Sequence, residues 1–129
     1  PVNKNVSSSQ EKYFNKRNDF DALELLPLLS LNEEEFRNKF KNSPIKRTKL
    51  EGLKRNVCVA LGNLKDKRAV VALLGSVYDK SFVVRVHAVW ALGCIGIDEA
   101  TRMHLLEALD SEKNPEVVNE IQDVLNTSI

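Results

Sequence analysis

The stretch Leu53-Lys-Arg-Asn-Val-Cys-Val-Ala-Leu-Gly-Asn-Leu64 recurs further along the chain as Val84-Arg-Val-His-Ala-Val-Trp-Ala-Leu-Gly-Cys-Ile95. The apolar positions that the two copies share are spaced i, i+4, i+7, i+8 and i+11, which is the spacing of one helix face. The same shift aligns Ala69 with Ala100 and Leu74 with Leu105, so we predict a second helix in each repeat. A slightly longer shift from the second copy aligns a third, terminal helix, whose apolar residues are Val117, Ile121, Val124 and Leu125.

Helix pairs that repeat at this interval predict an α-solenoid, because each pair can bury its apolar face only against the next pair. The predicted fold class is all-α: a HEAT-like α-solenoid of two helix pairs plus a terminal helix, with an extended N-terminal lead-in and short helices before it. The repeat length is also close to that of tetratricopeptide and ankyrin units. The string Trp90-Ala91-Leu92-Gly93 favours HEAT-like units, and the Thr-Pro-Leu-His signature of ankyrin repeats is absent.

The chain is predicted to divide into three parts. Residues 1–20 are polar and form the extended lead-in, residues 21–52 form short helices and a basic linker, and residues 53–129 form the HEAT-like repeats. In the middle part, Asn32 precedes three glutamates and is predicted to cap a short helix, because carboxylates stabilise the positive end of a helix. Phe36 and Phe40 are predicted to share one face of that helix, since they are spaced i, i+4.

The composition excludes several classes of protein. The longest uninterrupted apolar run is Ala69–Leu74, whereas a membrane-spanning helix needs about 20 apolar residues. The two cysteines, Cys58 and Cys94, match no metal-binding or redox spacing, so we expect no metal site and no catalytic residue in this stretch. No secretory signal pattern opens the chain, and a cytoplasmic location is therefore expected. His104 aligns with Leu73 and is predicted to be partly buried.

The formal net charge of +1 conceals a strong segregation of charge along the chain. Residues 1–36 carry a net charge of −3 and residues 69–129 a net charge of −5. Residues 37–68 carry eleven Lys and Arg against Glu51 and Asp66, a net charge of +9. Such an excess of cations with few internal partners indicates an anion-binding stretch.

Residues 28–64, together with Val84–Gly93, resemble the C-terminal HEAT-like region of epoxyqueuosine reductases. The opening Pro1-Val2-Asn3 is similar to the residues that follow the last cysteine of the ferredoxin-like cluster motif in that family. The resemblance implies a fragment of an oxidoreductase that reduces epoxyqueuosine in a tRNA anticodon loop during queuosine biosynthesis. It also implies two 4Fe-4S clusters and cobalamin in the parent enzyme. Neither cofactor is expected in this fragment, because an iron–sulfur motif needs closely spaced cysteines.

The expected partners are tRNA and the iron–sulfur domain of the same parent chain, with no membrane contact and a monomeric state. Phosphate contact is favoured for the basic stretch because Lys and Arg neutralise the nucleic-acid backbone. The candidate RNA-binding residues are Lys41, Lys46, Arg47, Lys49, Lys54, Arg55, Lys65, Lys67 and Arg68. No aromatic residue lies between the first and last of them, so base stacking is not expected there.

The sequence leaves three alternatives open. The basic stretch could be a solvated loop with charged helix ends, in which Arg55 faces inward. The solenoid could be a protein-interaction scaffold with no nucleic-acid role, since helical repeats offer extended binding surfaces. In a third, purely architectural role, the repeats brace the iron–sulfur domain through Leu23, Leu26, Phe36 and Phe40, and this role is compatible with tRNA contact. Trp90 is predicted to pack within the fold rather than to stack on a base.

Overall fold

The computed structural model describes residues 22–47 and 49–127, so the lead-in predicted for residues 1–20 lies outside the described residues. Over the described ranges the chain forms seven α-helices, three short 3₁₀ turns and no strand. The helices are α1 (Ala22–Leu25), α2 (Glu33–Lys39), α3 (Leu50–Leu64), α4 (Val70–Ser76), α5 (Phe82–Ile95), α6 (Glu99–Ser111) and α7 (Pro115–Thr127). The 3₁₀ turns are Leu26–Ser30, Pro44–Arg47 and Lys67–Ala69.

Helices α3, α5 and α7 are the first helices of successive repeats and pack side by side, while α4 and α6 are the second helices. The predicted repeat places Leu53, Val84 and Val117 in equivalent positions, and all three are fully buried. Leu61 and Leu92 form a second fully buried row, which lies about two turns further along the same face of these helices. These rows confirm the predicted HEAT-like α-solenoid of two helix pairs and a terminal helix.

The shift that pairs Leu53 with Val84 is correct for the first helices but wrong for the second ones. Asp66 and Asp98 cap the turns that open the second helices, by accepting hydrogen bonds from the N–H groups of Arg68 and Thr101. The spacing between Asp66 and Asp98 is one residue longer than the spacing between Leu53 and Val84 in the first helices. The additional residue is Ile97, which follows Gly96 at the end of α5. The end of α3 turns instead at Lys65, with φ 55°, directly before Asp66.

This additional residue changes which side chains of α6 enter the core. The buried pair is Leu73 and Leu105, rather than Leu74 and Leu105 as the sequence shift predicted. His104, predicted to be partly buried in the place of Leu73, is exposed instead. Its neighbour Leu105 has taken that place, because adding one residue rotates a helix by about 100° relative to its partner.

The short N-terminal helices close the first repeat. Asn32 caps α2, since its Oδ1 accepts a hydrogen bond from the Glu35 N–H at 2.8 Å and the Glu35 carboxylate accepts one from the Asn32 N–H at 2.9 Å. This reciprocal arrangement is a capping box. Phe36 and Phe40 are both buried, with ring centroids 5.5 Å apart. The predicted cap and the predicted shared face are therefore confirmed.

Candidate nucleic-acid interface

The predicted RNA-binding cations do not form one patch, because α3 separates them into two groups. Lys49 precedes the first residue of α3, and Lys65, Lys67 and Arg68 follow its last residue. A helix of 15 residues is about 20 Å long. The two groups therefore lie at opposite ends of the first repeat.

The group at the start of α3 surrounds a cleft of about 740 Å³ between α2, α3 and the start of α5. Exposed Arg37, Lys49 and Lys80 line it, together with half-buried Lys54. The lining also includes the carboxylates of Glu33, Glu51 and Asp79. The Glu51 carboxylate accepts a hydrogen bond from the Ser81 hydroxyl, which ties the starts of α3 and α5 together.

Arg37 and Lys80 were not among the candidate residues predicted from the sequence. Lys80 corresponds to Lys49 under the shift that relates the first helices. The repeat itself therefore carried the signal for Lys80. Arg37 belongs to the basic stretch but lies on α2, and only the packing of α2 beside α3 brings it to the cleft.

Lys54 takes part in an ion pair inside the fold. Its Nζ donates a hydrogen bond to Asp79 Oδ2 at 3.1 Å, and the two side chains are only 12% and 13% exposed. The next repeat contains an equivalent pair, in which Arg85 Nε donates to Glu112 Oε1 at 3.0 Å. Arg85 also donates to the Asp79 carbonyl oxygen at 2.8 Å, so the two pairs connect successive repeats.

The environment of Glu112 favours its charged form. Burial pushes the pKa of its carboxyl upward, but hydrogen bonds from the Asn114 N–H and from Arg85 outweigh this effect and leave the pKa lowered. Asp79 likewise accepts a hydrogen bond from the N–H two positions on, that of Ser81. The two carboxylates thus play the same part, since each holds a turn and binds a cation of the preceding first helix.

At the far end of α3, Lys65 and Lys67 are exposed, while Arg68 is paired with Asp66. Hydrogen bonds from the side chain and the N–H of Arg68 lower the pKa of Asp66 to about 2. The hydrogen bonds of Asp98 with the Thr101 N–H and side chain lower the pKa of Asp98 in the same way, with a further contribution from the charge of Lys67. Cations and carboxylates thus alternate at this end of the repeat.

The remaining predicted residues occupy different surroundings. Lys41 is exposed in the turn after α2. Lys46 and Arg47 belong to the 3₁₀ turn Pro44–Arg47, which leads toward the start of α3. Arg55 is half-buried, and its Nε donates a hydrogen bond to Asn56 Oδ1 at 3.0 Å. Arg55 therefore contacts a buried polar side chain rather than the cleft.

Cys58 is buried in α3, whereas Cys94 on α5 is half-buried. No group of three or more His, Cys, Asp or Glu residues within 22–47 and 49–127 is arranged to hold a metal ion. No helix in the described part of the chain combines the length and apolar character needed to cross a membrane.

The chain is similar in sequence to a family of repeat proteins and to several known enzymes. The family model for HEAT repeats matches residues 48–126. Epoxyqueuosine reductase of Xanthomonas campestris is 39% identical over 98 residues, which are 75% of this chain and 28% of that protein. The Bacillus subtilis enzyme of the same name is 35% identical over 99 residues, 76% of this chain and 25% of that protein.

A solved structure extends the similarity to three dimensions. It is a crystal structure of epoxyqueuosine reductase with a tRNA-Tyr epoxyqueuosine-modified tRNA stem loop. It aligns with a TM-score of 0.73 and 34% identity, covering 79% of this chain and 27% of that one. The chain spans about a quarter of the length of these relatives, and it is similar to their C-terminal HEAT-like region. The chain belongs to the HEAT-repeat family.

Proposed function

We propose that this chain is the C-terminal HEAT-like part of an epoxyqueuosine reductase, and that it contacts the tRNA backbone there. The observation that carries the proposal is the similarity to a structure of such an enzyme with a tRNA stem loop. The cations around the start of α3 supply the matching chemistry, because phosphate groups are bound by Lys and Arg. The parent enzyme is then a cytoplasmic oxidoreductase of queuosine biosynthesis.

The contact is centred on Arg37, Lys49 and Lys80, whose exposed side chains surround the cleft. Lys49 is the N-cap residue of α3 and its side chain makes no capping hydrogen bond. The start of α3 adds a partial positive charge to the same place. Lys54 contributes less to RNA binding, because Asp79 already neutralises its charge. Lys46 and Arg47 belong to the turn that leads to α3, and they remain candidates for phosphate contact.

The second part of the proposal is that the chain braces the iron–sulfur domain of the parent. Phe36 and Phe40 are buried within this chain, and Leu26 is half-buried. Leu23 is 52% exposed and supplies the apolar contact. We assign the two 4Fe-4S clusters of the parent to its other parts, because such clusters need closely spaced cysteines, whereas Cys58 and Cys94 lie on separate helices and Cys58 is buried. The resemblance to epoxyqueuosine reductases assigns cobalamin to the other parts as well.

The salt dependence of tRNA binding by the full-length parent enzyme tests the RNA contact. Each phosphate contact adds about −0.7 to the slope of log affinity against log salt for single strands, and about −0.9 for duplexes. Lys49→Glu combined with Lys80→Glu should therefore flatten the slope by about 1.5. Lys113→Glu, at an exposed lysine between α6 and α7, is the control and should leave the slope unchanged.

The alternative function is a HEAT-type protein-interaction scaffold with no nucleic-acid role. It is favoured by the acidic C-terminal half, where residues 69–129 carry a net charge of −5. If the chain is such a scaffold, the full-length enzyme should bind tRNA with the same slope in the double variant, in the control and in the unmodified form. That outcome would reject the RNA contact at the cleft.

A further inference from the structure

Two glycines occupy the same position in successive first helices. Gly62 on α3 and Gly93 on α5 are related by the same shift as Leu53 and Val84. A Cβ atom at Gly62 would lie 2.6 Å from Cζ3 of Trp90. The indole of α5 therefore lies directly over Gly62 and fills the space between α3 and α5 at this point.

The contact between α5 and α7 also has a glycine, but it has no tryptophan in the position that Trp90 occupies between α3 and α5. Val84 and Leu92 of α5 correspond to Val117 and Leu125 of α7, and this alignment places Asp123 in the position of Trp90. The helices approach closely here as well, since a Cβ at Gly93 would lie 2.9 Å from Val124 Cγ2. The volume that Trp90 fills at the first step is therefore left to a short carboxylate at the second.

The result is a groove of about 400 Å³ between α5 and α7, which we name the α5–α7 groove. Its walls include Trp90, Gly93, Glu120, Asp123 and Val124, and none of the described residues that line it is Lys or Arg. Trp90 is half-buried and Asp123 is exposed. The groove thus combines an aromatic wall, an apolar floor and acidic side chains.

These three features fit a guanidinium group better than other ligands. A guanidinium is planar, stacks on aromatic rings and donates paired hydrogen bonds to a carboxylate. The indole is the aromatic ring that attracts cations most strongly. A phosphate is disfavoured, because the charged groups in the lining are acidic. Arginine is also among the residues that most often anchor a protein interface in a pocket.

We propose that the α5–α7 groove binds an arginine side chain of a partner polypeptide, in the place that corresponds to the Trp90 indole over Gly62. This surface is distinct from the basic cleft at the start of α3, and it does not depend on the proposed tRNA contact. The partner presents a basic, exposed segment, which complements the net charge of −5 carried by residues 69–129.

Trp90 is the single tryptophan of the chain, so its fluorescence reports on the groove directly. The 129-residue protein is titrated at constant ionic strength with acetyl-Ala-Arg-Ala-amide. The control peptide carries citrulline, which has nearly the same shape without the charge. The arginine peptide should give a saturable change in Trp90 emission, with an affinity at least about tenfold higher than that of the citrulline peptide, since charged hydrogen bonds are the stronger ones.

Variants separate the groove from general attraction to an acidic protein. Asp123→Asn should weaken binding of the arginine peptide by about tenfold, while Asp110→Asn on α6 removes the same charge elsewhere and should leave binding unchanged. Asp123→Trp should rebuild the packing seen over Gly62 and block the groove, as followed by amide chemical shifts of α5 and α7. Circular dichroism and thermal melting establish that each variant is folded.

Four results of the peptide titrations would overturn the proposal. They are equal binding of the citrulline peptide, equal binding of the lysine peptide acetyl-Ala-Lys-Ala-amide, unchanged binding by the folded Asp123→Asn variant, and unchanged binding by the folded Asp123→Trp variant. A fifth such result would be a saturable change in Trp90 emission when a short RNA is titrated alone, without peptide, because a nucleic acid rather than an arginine-bearing partner would then occupy the groove.

Discussion

At the scale of single residues, Leu92 is at the centre of the helix stack. Its equivalents in the other first helices are Leu61 and Leu125. Leu61 and Leu92 are fully buried, whereas Leu125 is 8% exposed. The three leucines share their chemistry and differ in what covers them, so they separate the effect of burial from that of residue type.

Leu92→Ala should lower the free energy of unfolding by about 2 to 5 kcal/mol, because it removes buried methyl groups and leaves a cavity. Leu125→Ala should cost less, since its site is partly open to solvent and can relax. Urea denaturation of both variants and of the unmodified chain measures these differences. An unchanged midpoint for Leu92→Ala would contradict the predicted register of the first helices.

Lys54 shows what can and cannot be read from sequence at this scale. The sequence identifies it as one of many cations in a basic stretch, but its partner Asp79 lies beyond α4 in the chain. The repeat already aligns Lys54 with Arg85, but the equivalence of Asp79 with Glu112 becomes visible only once both ion pairs are seen. The residue types of the candidate interface and their separation by a helix could thus be predicted, whereas their pairing could not.

At the scale of helices, the close approach of α3 and α5 depends on Gly62. Gly62→Ala should destabilise the protein by about 1 to 3 kcal/mol, as overpacking does. The new methyl group would overlap Trp90 and lie 3.1 Å from the Cα of Ala91, which belongs to the backbone and cannot move aside alone. Thermal unfolding followed by circular dichroism is the measurement.

Gly75 in α4 is the matched control for that change. A Cβ built there would contact nothing within 4 Å, so Gly75→Ala should stabilise the protein by about 0.4 to 1 kcal/mol by restricting the unfolded chain. Equal destabilisation by the two substitutions would show that the loss at Gly62 is a general effect of replacing a helical glycine and not a consequence of its contact with Trp90.

The helices themselves differ in how well the sequence predicts them. The first helices repeat a long apolar pattern, and their core residues follow directly from it. The second helices are aligned incorrectly because Ile97 adds one residue between the last turn of α5 and the capping Asp98. The capping aspartates, rather than the apolar residues, carry the correct shift for the second helices. A turn that differs in length between repeats is hard to locate from an apolar pattern alone.

At the scale of the whole molecule, the solenoid has two charged surfaces, one at the start of α3 and one between α5 and α7. The cleft at the start of α3 exposes the cations Arg37, Lys49 and Lys80 beside Glu33 and Glu51, whereas the charged groups of the α5–α7 groove are carboxylates alone. A net charge of +1 therefore describes neither surface. Because charges in water interact over only about 10 Å at ordinary salt, a bound polyanion should respond to the nearer surface and avoid the other.

Hydrogen exchange of the full-length parent enzyme with and without tRNA tests this division. If phosphate binds at the basic cleft, backbone N–H groups around Lys49 and Lys80 should exchange more slowly with tRNA present, since binding there suppresses local opening. The N–H groups of α7 should exchange at the same rate in both states, because its acidic surface disfavours phosphate. The same experiment on the Lys49→Glu, Lys80→Glu variant should lose the protection at the cleft. Protection that spreads equally over α7 and the start of α3 would mean that tRNA acts on the stability of the whole solenoid, and the backbone contact would then have to be sought elsewhere on the enzyme.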